Sequence, residues 1–414
     1  MDLLKQNTEL WGEDIPYLVG LREKAIIACQ KNGLPNAKTE TWKYSYFDTS
    51  ILNELHINKE NHDSCSCEKH LIKLPFKTHQ ICFCNGKLHG NCNSLPPHVT
   101  LKSLAEAIYD GDAKPYLSKL FQLDNFPYAA LNTAFLEQGL MLIIERNSVI
   151  ENPIFIHYNY HKDSKLLCNI RNIIVLENGA KAEIIEYFSG SEETDGLHNY
   201  VNEIFLAPDS VLHHYKLQNE APDTYHIALN CVQQKTNSCY NCFCAQKECK
   251  LARHESLINL LQEGASAEVN GAYRLKVSGV SDITTNIKHL TKHTYSNQLV
   301  KGVVDGSSKG IFQGQIHIAP DAAQTEGYQL HRALLLSDNA EVDCKPELEI
   351  FADDVKCSHG ATCGDLDRNQ LFYMQSRGIS LEDARKILIE AYLNETIEKI
   401  TNKSVASWLK DKFQ

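Results

Sequence analysis

A short phrase of residues recurs along the middle of the chain and limits the folds that the chain can adopt. Each copy has an apolar run, a polar turn containing Gly, Asp or Asn, a small residue, and a second run in which apolar and polar residues alternate. The residues that mark these turns are Gly179, Asp209, Gly264, Asp321, Asn339 and Asp354. Short alternating strands joined by turns at quasi-regular spacing predict either a β-sandwich or a stacked β-solenoid.

Chain length bears on the choice between those two folds. A sandwich of 414 residues would need about twice the strand count usual for that class. A solenoid buries the inward residues of each coil on the next coil, so its core grows with length. The pattern alone therefore favours a mainly β solenoid, which we expect over residues 140–370, and it leaves the sandwich open.

Both ends of the chain have helical periodicity instead. Near the N-terminus, apolar residues at spacings of three and four predict a helix that Asp14 caps and Gly33 ends. Beyond Gly378 the period becomes helical again, with Ser380 at the N-cap position. The apolar stripe of this last helix contains Leu381, Ala384, Leu388, Ala391, Tyr392 and Leu393. We therefore predict an N-terminal helical and mixed region (1–139), a solenoid core (140–370) and a C-terminal helical region (371–414).

Charge and hydropathy exclude several classes of function. The formal net charge of −11 argues against a nucleic-acid surface and against anionic membranes. The longest wholly apolar run, Leu140–Ile144, is far too short to span a bilayer. The first residues are acidic and lack the apolar segment of a secretory signal. We expect a soluble protein that binds neither nucleic acid nor membrane.

Cysteine is abundant, with fifteen residues. An odd count in a chain of this size without an export signal favours free thiols in a reducing cytoplasm over a disulfide framework. Several lie close together in the sequence: Cys65 and Cys67, Cys82 and Cys84, and Cys239, Cys242, Cys244 and Cys249. The last group includes a C-x-x-C but lacks a second one at zinc-finger distance. A metal or redox site there is an alternative to scattered free thiols.

The most specific candidate site lies in the stretch KPELEIFADDVKCSHGATCGDLD (345–367). Its pattern predicts a strand, a two-aspartate turn and a second strand. In the second strand Cys357 and His359 are two residues apart, so both side chains leave on one face. A thiolate beside an imidazole can hold a soft or borderline metal. The alternative is a small buried thiol next to a hydrogen-bonded core histidine.

The sequence gives little support to a nucleotide site, to a second metal site or to a sugar-cleaving enzyme. The run GVVDGSSKGIFQG (302–314) has glycines without the Lys-Ser/Thr ending of a phosphate loop. We interpret it as strand and turn, with Gly306 and Gly310 in unusual backbone conformations. His289 and His293 share a strand face and could form a weak metal site. A solenoid enzyme acting on polysaccharides stays open as an alternative function, although no cleft of carboxylates stands out in the sequence.

Four motifs, in order along the chain, carry a resemblance to a known family. They are PNAKTETWKYS (35–45), ALNTAF (130–135), NQLVKGVVDGSSKGIFQG (297–314), and VKCSHGAT (355–362) with the segment 367–400 that follows it. Together they resemble the SufB/SufD family of the SUF iron–sulfur cluster assembly machinery. Ser358-His359-Gly360 stands where SufB-like members have Glu-His-Glu, and Met374 stands where they usually have cysteine. Both differences favour the SufD branch, whereas Cys363 and the cysteine groups depart from the family's pattern.

The resemblance implies a fold and a role. The fold would be a right-handed parallel β-helix with helical ends. The role would be that of a non-catalytic scaffold subunit that pairs with a SufB-like protein and with SufC, an ABC-type ATPase. A cysteine desulfurase and its sulfur carrier would supply sulfur indirectly. Formation of a homodimer by the isolated chain is left open.

The resemblance also implies site residues. His359, with Cys357 beside it, would bind iron or the nascent cluster transiently at the SufB interface. The C-terminal helix would dock SufC through Leu381, Leu388, Ala391, Tyr392 and Leu393. No nucleotide is expected on this chain.

Overall fold

The computed structural model describes residues 10–56, 72–91, 95–161, 165–191 and 194–413. Six α-helices lie mostly at the two ends of this part of the chain. They are α1 (Pro16–Asn32), α2 (Leu104–Tyr109), α3 (Pro127–Ala134), α4 (Arg368–Ser376), α5 (Leu381–Ile397) and α6 (Lys403–Phe413). Most of the chain between α3 and α4 is strand, so the molecule is mainly β, as predicted.

The described residues contain nineteen strands. In chain order they are β1 (His79–Cys84), β2 (Lys87–Asn91), β3 (Val99–Ser103), β4 (Leu140–Ile144), β5 (Ile154–Tyr160), β6 (Leu166–Leu176), β7 (Lys181–Gly190), β8 (Gly196–Leu206), β9 (Val211–Asn219), β10 (Thr224–Gln234), β11 (Cys239–Lys247), β12 (Leu251–Leu260), β13 (Ser266–Leu275), β14 (Val280–His289), β15 (Tyr295–Val304), β16 (Lys309–Ile318), β17 (Glu326–Leu335), β18 (Glu341–Ile350) and β19 (Lys356–Gly364).

These strands form two sheets that face each other across one core. From β4 onward, even-numbered strands join one sheet and odd-numbered strands the other, so each coil contributes one strand to each sheet. From β4 to β19, neighbours within a sheet are parallel, and these strands make about eight coils. The predicted solenoid is therefore confirmed, and the sandwich is excluded. Strands β1 and β3 extend the sheets at the N-terminal end, so the stack begins before residue 140.

One corner of the solenoid is built from a ladder of left-handed residues. Each has positive φ, and successive members are 27 to 32 residues apart: Asn147, Gly179, Asp209, Asn237, Gly264, His293, Gln324 and Asp354. Their backbone N–H groups reach the next coil, as when Gly179 donates to the Pro208 carbonyl and Asp209 to that of Thr236, both at 2.9 Å. Gly179 and Gly264 suit this conformation because they lack a Cβ.

Two of the predicted turn residues do not belong to this ladder. Asp321 and Asn339 lie in turns, but neither has positive φ. Gly306 has the predicted left-handed conformation, whereas Gly310 does not. Gly310 is required for space instead, because a Cβ there would lie 2.5 Å from the buried Tyr273 ring.

The N-terminal region is fastened to the nine-strand sheet by two buried arginines. The Arg253 guanidinium lies 4.1 Å from the centre of the Trp42 ring and donates to Ser45 Oγ at 3.0 Å. Arg253 also pairs with Asp282. The WKYS motif is therefore a structural anchor, because it covers a buried charge on the solenoid wall.

Arg171 has the same role for the ALNTAF motif. It donates to Asn132 Oδ1 at 3.0 Å and to Thr133 Oγ1 at 2.7 Å, and it pairs with Glu203 at 3.0 Å. Both charged side chains have no exposed surface. Helix α3 is thereby fixed to the sheet.

The first helix differs from its prediction only at its beginning. Its N-cap residue is Ile15, without a side-chain cap, so Asp14 does not cap it as predicted. Gly33 ends the helix as expected. Among the described residues, no helix is long and apolar enough to cross a membrane.

Candidate functional site

The last coil of the solenoid, β18 and β19, has no coil above it. Each of these strands lies at the edge of its sheet. By register, their inward-facing residues stack on buried residues of the coil below, as Cys344 does on Phe312 and His359 on Gln329. We call these inward-facing residues of the last coil the open end: Val342, Cys344, Pro346, Leu348, Cys357, His359, Ala361 and Cys363.

The open end is exposed although its residues point toward the solenoid axis. The residues directly beneath it are buried, whereas those of the open end are half-buried or fully exposed. Edge strands also leave one row of backbone N–H and C=O groups without a strand partner, which invites pairing with another chain. This combination of apolar cross-section and unpaired backbone is typical of a surface that another molecule covers.

The structure places Cys357 and His359 on one face of β19, as their spacing predicts. They stack on Gly327 and Gln329, which are both buried. Cys357 is half-buried against a small apolar cluster that includes Ile316 and Leu348. Burial raises the pKa of its thiol, so Cys357 stays protonated at neutral pH. His359 is exposed and free to meet a ligand from outside.

These two residues do not form a complete metal site by themselves. Among the residues that the structure describes, no group of three or more His, Cys, Asp or Glu side chains is arranged to hold a metal ion. A protein site for iron or zinc generally uses three or four ligands. Any metal held at His359 would therefore need ligands from a second molecule at the open end.

Sequence reasoning missed a contact between a thiol and a buried imidazole at the same surface. Cys344 Sγ on β18 lies 2.9 Å from His331 Nδ1 on β17. The alternation of Val342, Cys344 and Leu348 shows that Cys344 points inward, but no sequence signal brings it to His331, because β17 and β18 belong to different sheets.

The C-x-x-C group lies inside the solenoid. Cys242 and Cys244 are buried on β11, and burial raises the pKa of the Cys244 thiol to about 11. Cys239 is half-buried on the same strand, and Cys249 is buried just beyond it. These four cysteines are free thiols, while Cys65 and Cys67 lie outside the described residues.

The histidine pair does not converge either. His289 is buried and hydrogen-bonds Thr294 Oγ1 and Ser296 Oγ, both at 2.8 Å. His293 is exposed and belongs to the corner ladder. Its backbone thus supports a turn while its side chain faces solvent, so the two imidazoles do not share a ligand.

The predicted apolar stripe of α5 divides between two environments. Leu393 is completely buried against the ten-strand sheet, and Leu388 and Tyr392 pack beside it. Lys301 Nζ lies over the Tyr392 ring, 4.2 Å from its centre, and pairs with Glu395. Leu393 is therefore part of the core and is not available to a partner.

Of the remaining stripe residues, Ala384 is buried, whereas Leu381 and Ala391 face solvent. Further large apolar side chains are exposed on α4 and α5: Phe372, Tyr373 and Ile387, with 73, 60 and 46% of their surface exposed. Exposed large apolar side chains on two helices that contact each other suit a protein-binding surface. We call Phe372, Tyr373, Leu381, Ile387 and Ala391 the helical patch.

Comparison with known proteins gives a consistent relationship over the whole chain. The family description "SUF system FeS cluster assembly, SufBD core domain" matches residues 159–392, and "SufBD protein N-terminal region" matches residues 1–156. An iron–sulfur cluster assembly SufBD family protein of Synechocystis is 30% identical over 97% of this chain and 91% of its own length.

Two further relatives extend this comparison. The iron–sulfur cluster assembly protein SufD of Escherichia coli is 27% identical over 91% of this chain and 87% of its own length. The chloroplastic protein ABCI7 of Arabidopsis thaliana is 34% identical over 64% of this chain and 58% of its own length. The chain belongs to the SufB/SufD family of the SUF system for iron–sulfur cluster assembly.

Proposed function

We propose that the chain is a SufD-type scaffold subunit without catalytic activity of its own, working in a reducing cytoplasm. It pairs with a SufB-like protein through the open end and with a SufC-like ATPase through the helical patch. Iron and the nascent cluster are the cargo of this complex and are held transiently where the open end meets its partner. The observation that carries the proposal is the exposed His359 on an edge coil whose apolar cross-section is uncovered.

The open end fits a partner built in the same way. A second solenoid can stack its own last coil on β18 and β19, which satisfies the free backbone groups and covers Leu348 and Pro346. Such a contact continues both cores with little change in either chain. The same surface could also join two copies of this chain when no SufB-like partner is present.

His359 is suited to hold cargo that must be released. One imidazole from this chain gives a weaker site than a complete set of thiolates would, so transfer onward is easier. The half-buried Cys357 lies two residues away on the same face and contributes a second donor when it loses its proton. The remaining ligands come from the SufB-like subunit.

The helical patch fits the ATPase by position. Helix α5 is fixed to the solenoid wall through Leu393, Tyr392 and Lys301. A pull on the exposed side of α5 is therefore transmitted to the coils near the open end, because β15 and β17 lie in the same sheet as β19. ATP-driven movement of SufC would act on the cargo site by this route.

The test for cargo binding is purification of the co-expressed complex without oxygen, followed by iron and sulfide analysis. We expect His359→Ala to keep both partners and its thermal unfolding temperature but to lower the iron recovered per complex. His317→Ala is a matched control, because His317 is a partly exposed histidine on β16 in the other sheet, paired with Glu349. An unstable His359→Ala chain with normal iron per folded complex would mean that the residue is structural.

The test for ATPase docking uses the exposed part of the stripe. We expect Leu381→Arg combined with Ala391→Arg to abolish recovery of the SufC-like protein while pairing with the SufB-like protein persists. Val149→Arg is the matched control, since Val149 is 64% exposed and lies between β4 and β5, in the first coil of the stack. Normal SufC recovery with the double variant would place the docking site elsewhere.

A further inference from the structure

A polar cleft lies on the ten-strand sheet and shares no residue with the open end or the helical patch. Strands β9, β11 and β13 form one wall, and residues 399–401, in the turn between α5 and α6, form the other. The cleft has a volume of about 170 Å³. Pockets for drug-sized ligands generally measure about 300–1,000 Å³. This cleft therefore suits a smaller molecule.

The cleft contains a buried amide that lacks a partner. Asn270 on β13 is 7% exposed, and its Oδ1 atom has no hydrogen-bond partner in the described part of the chain. Its register neighbours on the adjacent strands, Phe243 and Leu299, are buried and apolar. Buried polar groups in native proteins are nearly always hydrogen-bonded, so an exception needs a cause. A ligand in the cleft is such a cause, because it can supply the missing donor.

His213 on β9 adds a neutral hydrogen-bond donor to the cleft. Asn241 Nδ2 donates to His213 Nδ1 at 3.3 Å, so the imidazole proton lies on Nε2. Burial lowers the pKa of His213, which keeps the ring neutral at pH 7. Within the described ranges, no hydrogen bond uses the Nε2–H group. His213 therefore offers one N–H donor without a positive charge.

Two opposite charges line the cleft, and neither forms an ion pair. Glu268 accepts hydrogen bonds from two neutral groups, Tyr295 Oη and Asn297 Nδ2, both at 3.1 Å. Each carboxylate oxygen can accept a further hydrogen bond. Lys399 is exposed, and neither it nor Glu268 pairs with an opposite charge among the residues that the structure describes. The cleft thus presents one carboxylate and one ammonium group, with no net charge.

We propose that this cleft binds a small free α-amino acid, such as glycine or alanine. An amino acid at neutral pH carries one ammonium and one carboxylate group, so it matches the two unpaired charges. Its ammonium group donates to Glu268 and to Asn270 Oδ1. Its carboxylate accepts from Lys399 and from the Nε2–H group of His213. Bound in this way, the ligand gives a partner to each unpaired group of the cleft.

The primary test is isothermal titration calorimetry of the isolated chain with L-alanine. Propionate is alanine without the ammonium group, and ethylamine is alanine without the carboxylate. We expect saturable binding of L-alanine and at least about tenfold weaker binding of each analogue, because each lacks one set of charge-assisted hydrogen bonds. The proposal is overturned if neither glycine nor L-alanine binds saturably, or if either analogue binds as tightly as L-alanine.

Asn270→Leu separates a ligand-binding role from a structural one. Leucine has nearly the shape of asparagine and matches the apolar neighbours Phe243 and Leu299. We expect this variant to bind L-alanine about tenfold more weakly, while its unfolding temperature without ligand is not lowered. Asn286→Leu is the matched control, because Asn286 lies on β14 of the other sheet, and it should bind normally. A lower unfolding temperature with unchanged binding would make Asn270 structural and overturn the proposal.

Lys399→Ala tests the other side of the cleft at an exposed turn, where the fold does not depend on the side chain. It should also weaken L-alanine binding about tenfold, through loss of the contact with the ligand carboxylate. Lys386→Ala is the matched control, because Lys386 is an exposed lysine on α5 that does not line the cleft. Equal affinity for L-alanine in the Lys399→Ala and Lys386→Ala chains would refute the assigned site.

Discussion

Removal of the Arg171 guanidinium should loosen the N-terminal region from the solenoid. Arg171 and Glu203 are both fully buried and lie 3.0 Å apart. The Glu203 carboxylate also accepts hydrogen bonds from the backbone N–H groups of Ser118 at 2.7 Å and Lys119 at 2.8 Å. Arg171→Met keeps the length of the side chain but leaves that carboxylate without its cation. Breaking one side of a buried ion pair typically destabilises a protein by about 3–5 kcal/mol.

The assay is urea unfolding followed by tryptophan fluorescence and circular dichroism. Trp11 and Trp42 lie in the N-terminal region, Trp42 against Arg253, so in a Trp408→Phe background the emission reports on detachment of that region. Circular dichroism reports mainly on the solenoid strands. We expect Arg171→Met to move the fluorescence transition to a lower urea concentration than the circular dichroism transition. Lys31→Met is the control, because Lys31 pairs with Asp124 at an exposed position and should change neither transition.

A double-mutant cycle tests the physical cause of the loss. Glu203→Gln removes the negative charge and keeps an oxygen that can accept the N–H groups of Ser118 and Lys119. Added to Arg171→Met, it should recover part of the lost stability, with a coupling free energy of about 1–3 kcal/mol. Strictly additive effects, or a loss below about 1 kcal/mol for Arg171→Met, would refute the argument that a buried pair fastens this region.

Two further predictions concern the core of the solenoid. Gly302→Ala should destabilise the fold by about 1–3 kcal/mol in urea unfolding, because its Cβ would lie 2.0 Å from the Tyr273 ring. Gly20→Ala is the control and should stabilise slightly, because Gly20 lies inside helix α1 and no atom lies within 4 Å of its added Cβ. The free energy of unfolding should also fall as the pH drops from about 6.5 toward 3, since burial lowers the pKa of His289 to about 3 and the unfolded imidazole takes up a proton first. Measured against pH, His289→Asn should flatten this slope, and an unchanged slope would show that His289 does not cause it.

Alternation of apolar and polar residues predicted the strands and turns, because the direction of each side chain in a strand depends only on local sequence. It therefore also predicted that Cys357 and His359 share a face. The choice of a solenoid over a sandwich came from chain length and the family resemblance. The number of residues per coil could not be predicted from the sequence, because the predicted turn residues are irregularly spaced. In the structure, the turn positions missing from the prediction are Asn237, His293 and Gln324. These residues adopt the left-handed conformation without being glycine. These residues carry no distinctive local pattern, because hydrogen bonds to the next coil hold them in place.

Contacts between distant segments were decided only by the tertiary structure. The WKYS and ALNTAF motifs were recognisable in the sequence, but their structural role was not. Each motif binds a buried arginine on the solenoid wall, Arg253 and Arg171 respectively. The sequence likewise predicted that the apolar stripe of α5 continues through Leu393. In the structure Leu393 belongs to the core, because α5 packs on the sheet there. The contact between Cys344 and His331 arises because β18 and β17 lie on facing sheets. Local periodicity fixes which way a side chain points, whereas register along the stack and the docking of helices fix what it meets.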